Sequence, residues 1–367
     1  MNVRSLSTTE ELRLFIDFGQ TVYRDNPHWV PPDPQHMTRM LTGQSAYGPQ
    51  SQVQAFCVEE GGDVLATVAA LRDEAYNRHW GEQLGHLLFF EALPEKDEAV
   101  ASLMSAACDW LRERGSRAVR LSMLPGWQLP LTIDAYDATP TIFHTYNPAY
   151  YHSYVKNAGF ATERGVVQYQ VRFTPELAAR YREMIERATS SGVALRSFDF
   201  ERLEEETETF AEVFNDTFKT HWSFMPMTVA AMRGLTVELK DFLVAEFTGY
   251  AEVEGETAGV VYSLPDLNQA FHAMRGRDIG ANFGEFMQRL AEIDHGVLLV
   301  IGVREGQRGR GVNLALAAKS FLAMIERGYK TASYTVVLDD NWPSRRTAER
   351  LGARVTRNFN VYRKELA

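Results

Sequence analysis

The chain repeats itself at low fidelity, and that repeat limits what it can fold into. YNPAYYHSYVKNAGF (146–160) leads on to GVVQYQVRF, and DDNWPSRRTAERLGA (339–353) leads on to NFNVYRKEL. Asn147 precedes Gly159 by twelve residues and Asn341 precedes Gly352 by eleven, while Tyr169 and Tyr362 each fall ten residues after their glycine. Each segment reads as a turn, a short helix, a glycine stop and a strand. Upstream the agreement continues. QVQAFCVEE and DVLATVAALRDEA form a strand pair around Gly61-Gly62, and DFLVAEFTGYAEVEGETAGVVYSLP repeats it around Gly255. Apolar strands follow at 86–90 and 296–303, each leading into a helix (95–114 and 312–327) and another strand (118–124 and 331–338). Helical segments open both halves, near 8–24 and 199–220. This order specifies an α+β fold built twice, each copy a mixed central sheet flanked by helices. The expected domains are 1–173 and 195–367, joined by a linker helix at 174–194. A chain of 367 residues with 45% apolar content can bury two such cores.

The junction between the strand ending at Val303 and the helix starting at Val312 carries the clearest chemistry. VREGQRGRGVNLAL places Arg304, Arg308 and Arg310 among Gly306, Gly309 and Gly311. Glycines let backbone N–H groups converge, and a helix start adds unpaired donors and a positive dipole end. Together they make an anion site, with phosphate the natural occupant. No Gly-Lys-Ser/Thr follows, so it is not a nucleotide P-loop, and it does not fit GxGxxG. The formal net charge of −10 argues against non-specific nucleic-acid binding.

In context, GVLLVIGVREGQRGRGVNLALAAKSFLAMIERG resembles the signature of the GCN5-related N-acetyltransferase (GNAT) superfamily. That motif runs Gln/Arg-x-x-Gly-x-Gly/Ala between a central strand and a helix, and Gln307-Arg308-Gly309-Arg310-Gly311-Val312 stands in its place. The resemblance implies an acyl-CoA co-substrate, acetyl-CoA or a longer chain, whose pyrophosphate rests on amides from Arg308 to Val312. It implies that an N–H near Val303 polarises the thioester carbonyl. An amine then attacks directly, without a metal or a nucleophilic side chain, so only a proton acceptor and a thiolate donor are needed. Where the superfamily often carries the donor, a tyrosine four residues before a Gly-Phe pair, this chain has Ala348 before Gly352-Ala353. Ser344 and Tyr362 are the replacement candidates. Asn341 matches a superfamily asparagine that contacts the coenzyme arm; its plainer reading is a helix N-cap. As proton acceptor the sequence offers His295, Glu305 and Asp294 around the central strand and Glu246 or Glu252 on the strand pair, with His221-Trp222 placed to line an acceptor pocket.

The first half lacks the loop. Pro94-Glu95-Lys96-Asp97-Glu98 sets three acids where phosphate would sit, so this half reads as a degenerate copy. Two of its stretches, VYRDNPHWVPP (22–32) and HTYNPAYYHSYVKNAGF (144–160), resemble segments of the tandem acyltransferase-like family that includes bacterial ceramide synthases. That resemblance implies a long-chain acyl donor and a small, lipid-like acceptor, a sphingoid-like primary amine. The plainer reading of Trp29, Tyr146, Tyr150 and Tyr151 is packing of rigid turns. The functional expectation is an acyl-CoA-dependent N-acyltransferase; the alternative is a non-catalytic acyl-CoA-binding protein. Cys57 and Cys108 have no metal or CxxC spacing and read as buried thiols. The N-terminus lacks a signal-peptide core, and no apolar run approaches the roughly 18 residues of a membrane span. The expected location is cytoplasmic, with peripheral contact at a membrane surface left open.

Overall fold

The computed structural model describes residues 1–44 and 51–366. It divides into two compact units, Met1–Val166 with Asn358–Ala367, and Val167–Arg357. These bounds differ from the expected split at 173 and 195, because each half's last strand completes the other unit's sheet. The physical reason is the repeat itself: two copies of one sheet offer equivalent edges, so the terminal strands can trade places.

In the first unit the strands are β1 (Asn2–Leu6), β2 (Gln52–Glu60), β3 (Asp63–Arg72), β4 (Leu84–Ala92), β5 (Ala118–Leu121) and the short β6 (Leu131–Thr132). The first five lie in chain order, and the C-terminal strand β13 (Arg354–Glu365) pairs antiparallel with β5, Tyr362 opposite Leu121. Helices α1 (Thr9–Val22), α2 (Pro34–Leu41), α3 (Glu74–Trp80), α4 (Asp97–Glu113) and α5 (Tyr151–Asn157) surround it. Local chemistry sets their starts: Thr8 and Glu11 form a reciprocal capping box on α1, and Asp33 caps α2 ahead of Pro34.

The second unit begins in β7 (Ala161–Arg172), of which residues 167–172 lie beside β12 (Thr331–Leu338). The expected linker segment is α6 (Pro175–Ser190), which belongs to this unit's core: the Tyr181 hydroxyl donates to the Leu351 carbonyl at 2.6 Å. β8 (Val193–Ser197), β9 (Gly249–Val253), β10 (Glu256–Pro265) and β11 (His295–Val303) continue the sheet, in the order β7-β12-β11-β10-β9-β8. The helices are α7 (Leu203–Phe218), α8 (Val229–Leu239), α9 (Asn268–Met274), α10 (Phe283–Ala291), α11 (Val312–Glu326) and α12 (Trp342–Arg350). Leu316, Phe321 and Met324 of α11 pack with Leu298 and Tyr181 in one buried cluster, as an apolar helix face between two apolar strands should. Among the described residues no helix is long and apolar enough to cross a membrane.

The aromatic motifs of the first unit converge on one buried acid. Glu91, on β4, accepts hydrogen bonds from the Tyr23 hydroxyl at 2.7 Å and the Tyr151 hydroxyl at 2.6 Å. Tyr23 stacks on Trp29 and meets Tyr146 edge-on. Desolvation pushes the Glu91 carboxyl up to about 7, the two hydroxyls only partly offsetting it. With the folded pKa above that of the unfolded chain, the native state holds the extra proton, so this stability is present below about pH 4 and lost as pH rises to about 7. Glu91→Gln is expected to flatten that slope. Urea unfolding should show the parent losing on the order of 3 kcal/mol relative to the variant between pH 4.5 and 8.

Candidate active site

β11 and β12 begin as a regular parallel pair, with partners from His295↔Thr331 to Leu298↔Tyr334, and then part. Both strands continue, β11 to Val303 and β12 to Leu338. Just past the last pair Val336 takes φ 58°, a bend that β-branched residues rarely make. The result is a wedge inside the sheet, and Leu299, Val300 and Ile301 are half-exposed although they lie on a central strand. The Arg304 amide donates to Ala258 of β10 at 2.9 Å. Strand amides alternate in direction, so those of Ile301 and Val303 point away from β10 and into the wedge. Val303 thus stands where the strand meets the turn, at the wedge's open end.

At the mouth of the wedge a single turn, Glu305–Gln307, leads to Gly309 and Gly311 at φ 83° and 77°. Residues with a Cβ rarely adopt this left-handed backbone. Gly311 starts α11 without a side-chain cap. The Gln307 and Arg308 amides are spent on the carbonyls of Arg304 and Glu305. From Gly309 to Leu314, six consecutive amides have no acceptor among the described residues; the first helical bond comes from Ala315 to Gly311. No atom lies within 4 Å of where a Cβ would project from Gly309 or Gly311. The cradle is open and fits a diphosphate. Its window is one residue later than the expected Arg308–Val312, since the Arg308 N–H is already paired. Aligned on its glycines, the loop carries Gly306 at the Gln/Arg position of the motif, with Gln307 one place further on.

The side chains are less uniformly aimed. Arg308 is exposed and bonds the Val303 carbonyl through Nε, and Arg310 reaches Gln307 Oε1 at 3.0 Å. Arg304 is tied to Glu212 and Asp216 of α7. Glu305 is exposed. Val312 is buried in the core. Asn341 caps α12, its Oδ1 accepting the Ser344 amide at 3.3 Å. Ser344 Oγ lies 2.9 Å from the Tyr334 hydroxyl, and Tyr334 forms the last strand pair at the apex of the wedge. Burial pushes the Tyr334 phenol up to about 12, so it stays protonated at neutral pH. Sequence reasoning missed Tyr334, because nothing in TASYTVVL marks one residue as the point of separation.

Two candidates are displaced. His295 sits at the opposite end of β11, eight residues from Val303 or about 26 Å along a strand. Its Nδ1 lies 2.7 Å from Thr331 Oγ1 and its Nε2 2.8 Å from Ser333 Oγ, and burial lowers its pKa to about 4. It is a neutral cross-strand tie, not a base for this wedge. Tyr362 belongs to the first unit, where its hydroxyl lies 2.7 Å from His152 Nδ1. Strand exchange moved it.

Against β11 on its α7 side stands a group that the sequence signalled only through His221. A Cβ on Gly302 would come within 2.7 Å of Thr217 Cγ2 and 2.8 Å of Phe218 Cε2, so the end of α7 presses onto the wedge strand. Phe218 stacks obliquely on Phe214 and meets the His221 ring edge-on, and Phe214 also contacts Phe224. Thr217 Oγ1 and Ser223 Oγ are buried with no hydrogen-bond partner among the described residues.

In the first unit β5 ends with its last pair to β4, and β4 runs on to Ala92. β4 and β5 pair only from Leu84↔Ala118 to Leu87↔Leu121. The freed amides of Phe89, Ala92 and Lys96 donate to Gln128 Oε1, the Tyr151 hydroxyl and the Tyr154 hydroxyl, at 2.7, 2.7 and 2.8 Å. Asp97 and Glu98 occupy the first turn of α4. No glycine turn precedes that helix.

No family model matches the chain. A bacterial ceramide synthase from Caulobacter vibrioides is 27% identical over 377 residues, spanning 100% of this chain and 98% of that one. Among solved structures, a tandem GNAT protein from the clavulanic acid biosynthesis pathway aligns over 99% of this chain and 98% of its own, with TM-score 0.58 and 10% identity. The GCN5-related glucosamine N-acetyltransferase region of a fungal multi-domain GH3 β-N-acetylglucosaminidase aligns with TM-score 0.62 and 14% identity, over 99% of this chain but 38% of that longer one.

His295→Ala should cost about 2–3 kcal/mol in urea unfolding, because it opens a cavity and strips partners from two hydroxyls. A cost below about 1 kcal/mol would deny the tie.

Proposed function

We propose, from a chain whose fold is the tandem GCN5-related N-acetyltransferase fold, that it is an acyl-CoA-dependent N-acyltransferase. The six unpaired amides at the start of α11, opening beside a parted strand pair, carry this reading. They would hold the pyrophosphate, with Arg308 and Arg310 adding charge at the rim. The pantetheine arm would lie in the wedge, where the Ile301 and Val303 amides supply donors to polarise a thioester carbonyl. The Tyr334 hydroxyl, backed by Ser344, stands at the apex as the donor for the departing thiolate. It replaces the tyrosine that Ala348 lacks; Ala348 itself is fully buried.

The acceptor we propose is a long-chain primary amine of the sphingoid type, and the acyl group a long chain. Support comes from the 27% identical relative named as a bacterial ceramide synthase. The aromatic row Phe214, Phe218 and Phe224 beside the wedge adds to it, offering an apolar wall to an alkyl chain. The alternative, a non-catalytic acyl-CoA binder, drew on Ala348. Tyr334, 2.9 Å from Ser344, supports the catalytic reading over it.

A thiol-release assay across acyl-chain lengths and amine classes tests the reading. Free CoA should appear only when acyl-CoA and amine are both present, while binding without amine-dependent release would favour the non-catalytic alternative. Gly309→Glu and Gly311→Glu, which place a carboxylate in the cradle, should lower acyl-CoA affinity at least about 100-fold with the fold retained by circular dichroism. Unchanged affinity in both variants would refute the loop assignment.

A further inference from the structure

Acyl transfer to an amine leaves one duty without a holder. At neutral pH an alkylamine is an ammonium ion, and it must lose a proton before its nitrogen can attack. We infer that His221 takes that proton, and that the Thr217 and Ser223 hydroxyls hold the amine beside it; this rests on the acyl-transfer reading above.

The tautomer is set by the fold. His221 Nδ1 lies 3.1 Å from the Trp222 carbonyl, which can only accept, so Nδ1 carries the hydrogen and Nε2 presents its lone pair. Nε2 has no partner among the described residues. The turn that bears it is pinned: the Asn215 side-chain amide binds both the N–H and the carbonyl of Met227 at 2.8 Å. His221 sits edge-on to Phe218, which lies against Gly302 of β11, and it faces Asp340 just beyond the end of β12. It thus stands over the open end of the wedge. Desolvation lowers its pKa, Asp340 acting in the opposite sense, so the ring is neutral at pH 7 and ready to accept. The other charges nearby are mutually engaged, Asp216 with Lys219 and Arg304.

The hydroxyls supply the second observation. A buried hydroxyl without a partner costs about 1–3 kcal/mol; here one sits in the last turn of α7 and the other in the segment that follows. Ser223 also takes φ 61°, a strained backbone for a residue with a side chain. A primary ammonium offers three N–H donors; Nε2 and the two hydroxyl oxygens are three acceptors. Of the other acids that the sequence offered, Glu246 pairs with Arg327, Glu252 with Arg196 and Asp294 with Lys330, while Glu305 is exposed on the turn.

The step balances. One ammonium proton passes to Nε2, and the freed nitrogen lone pair forms the N–C bond at the thioester carbonyl. The C–S bond breaks with its electron pair on sulfur, and the thiolate takes a proton from Tyr334. A second N–H proton leaves the nitrogen and restores Tyr334, giving amide and free CoA. His221 returns the first proton to solvent.

The test uses the full chain with palmitoyl-CoA and sphinganine, and hydroxylamine as a control acceptor that is largely unprotonated at neutral pH. His221→Gln should slow sphinganine acylation about 100-fold or more, leave palmitoyl-CoA affinity within about twofold, and slow reaction with hydroxylamine by less than about fivefold. The acid limb of the parent's kcat/KM profile should vanish in the variant. Thr217→Val and Ser223→Ala should each raise KM for sphinganine several-fold with kcat little changed. Retention of more than a third of the parent rate, with its acid limb, in His221→Gln and His221→Asn would overturn the assignment. So would unchanged KM in both hydroxyl variants, which also serve if the histidine variants do not fold. A parent that binds no palmitoyl-CoA would refute the coenzyme loop, and one that binds it but acylates no amine would refute acyl transfer.

Discussion

Strand pairing that stops early is the constraint on which the second unit is organised. β11 and β12 share four residue pairs and then diverge, so the middle of a central strand keeps amides that no neighbour satisfies. In a closed sheet those donors would be spent on the ladder, and burying them unpaired would be costly. The parting avoids that cost by leaving Leu299 to Ile301 half-exposed. The glycine turn at its mouth extends the same logic from strand amides to helix amides.

In the first unit the strand amides past the last β4–β5 pair meet Gln128 and Tyr151, the α4 N-cap amide meets Tyr154, and the helix start carries acids in place of glycines. Tyr151, from a stretch that looks like a functional motif in the sequence, bonds that backbone and, with Tyr23, surrounds Glu91. One copy thus meets unpaired backbone with its own side chains, while the other leaves six helix-start amides open. That division is the physical content of calling the first copy degenerate.

Much of the site is legible in the sequence. Gly309 and Gly311 announce their φ angles, and their position between an apolar strand and an uncapped helix announces free amides. What misled was linear proximity. His295 borders the apolar run in sequence, yet a nine-residue strand carries it to the far end of the sheet. Tyr362 follows the right helix, but the strand that holds it completes the other unit. Tyr334, Thr217 and Ser223 carried no signal, because what a hydroxyl is paired with, or left without, depends on which distant segments pack around it.

The amino-acid order alone determined the α+β class, the duplication, the glycine turn and its absence from the first half, since each depends on periodicity, glycine or charge within about twenty residues. Tertiary structure alone decided where the strands part, which copy's last strand closes which sheet, and which hydroxyls and imidazole stand beside the wedge. Those outcomes depend on contacts between segments as far apart as α7 and the end of β12, and local propensity carries no record of which distant surface a side chain will meet.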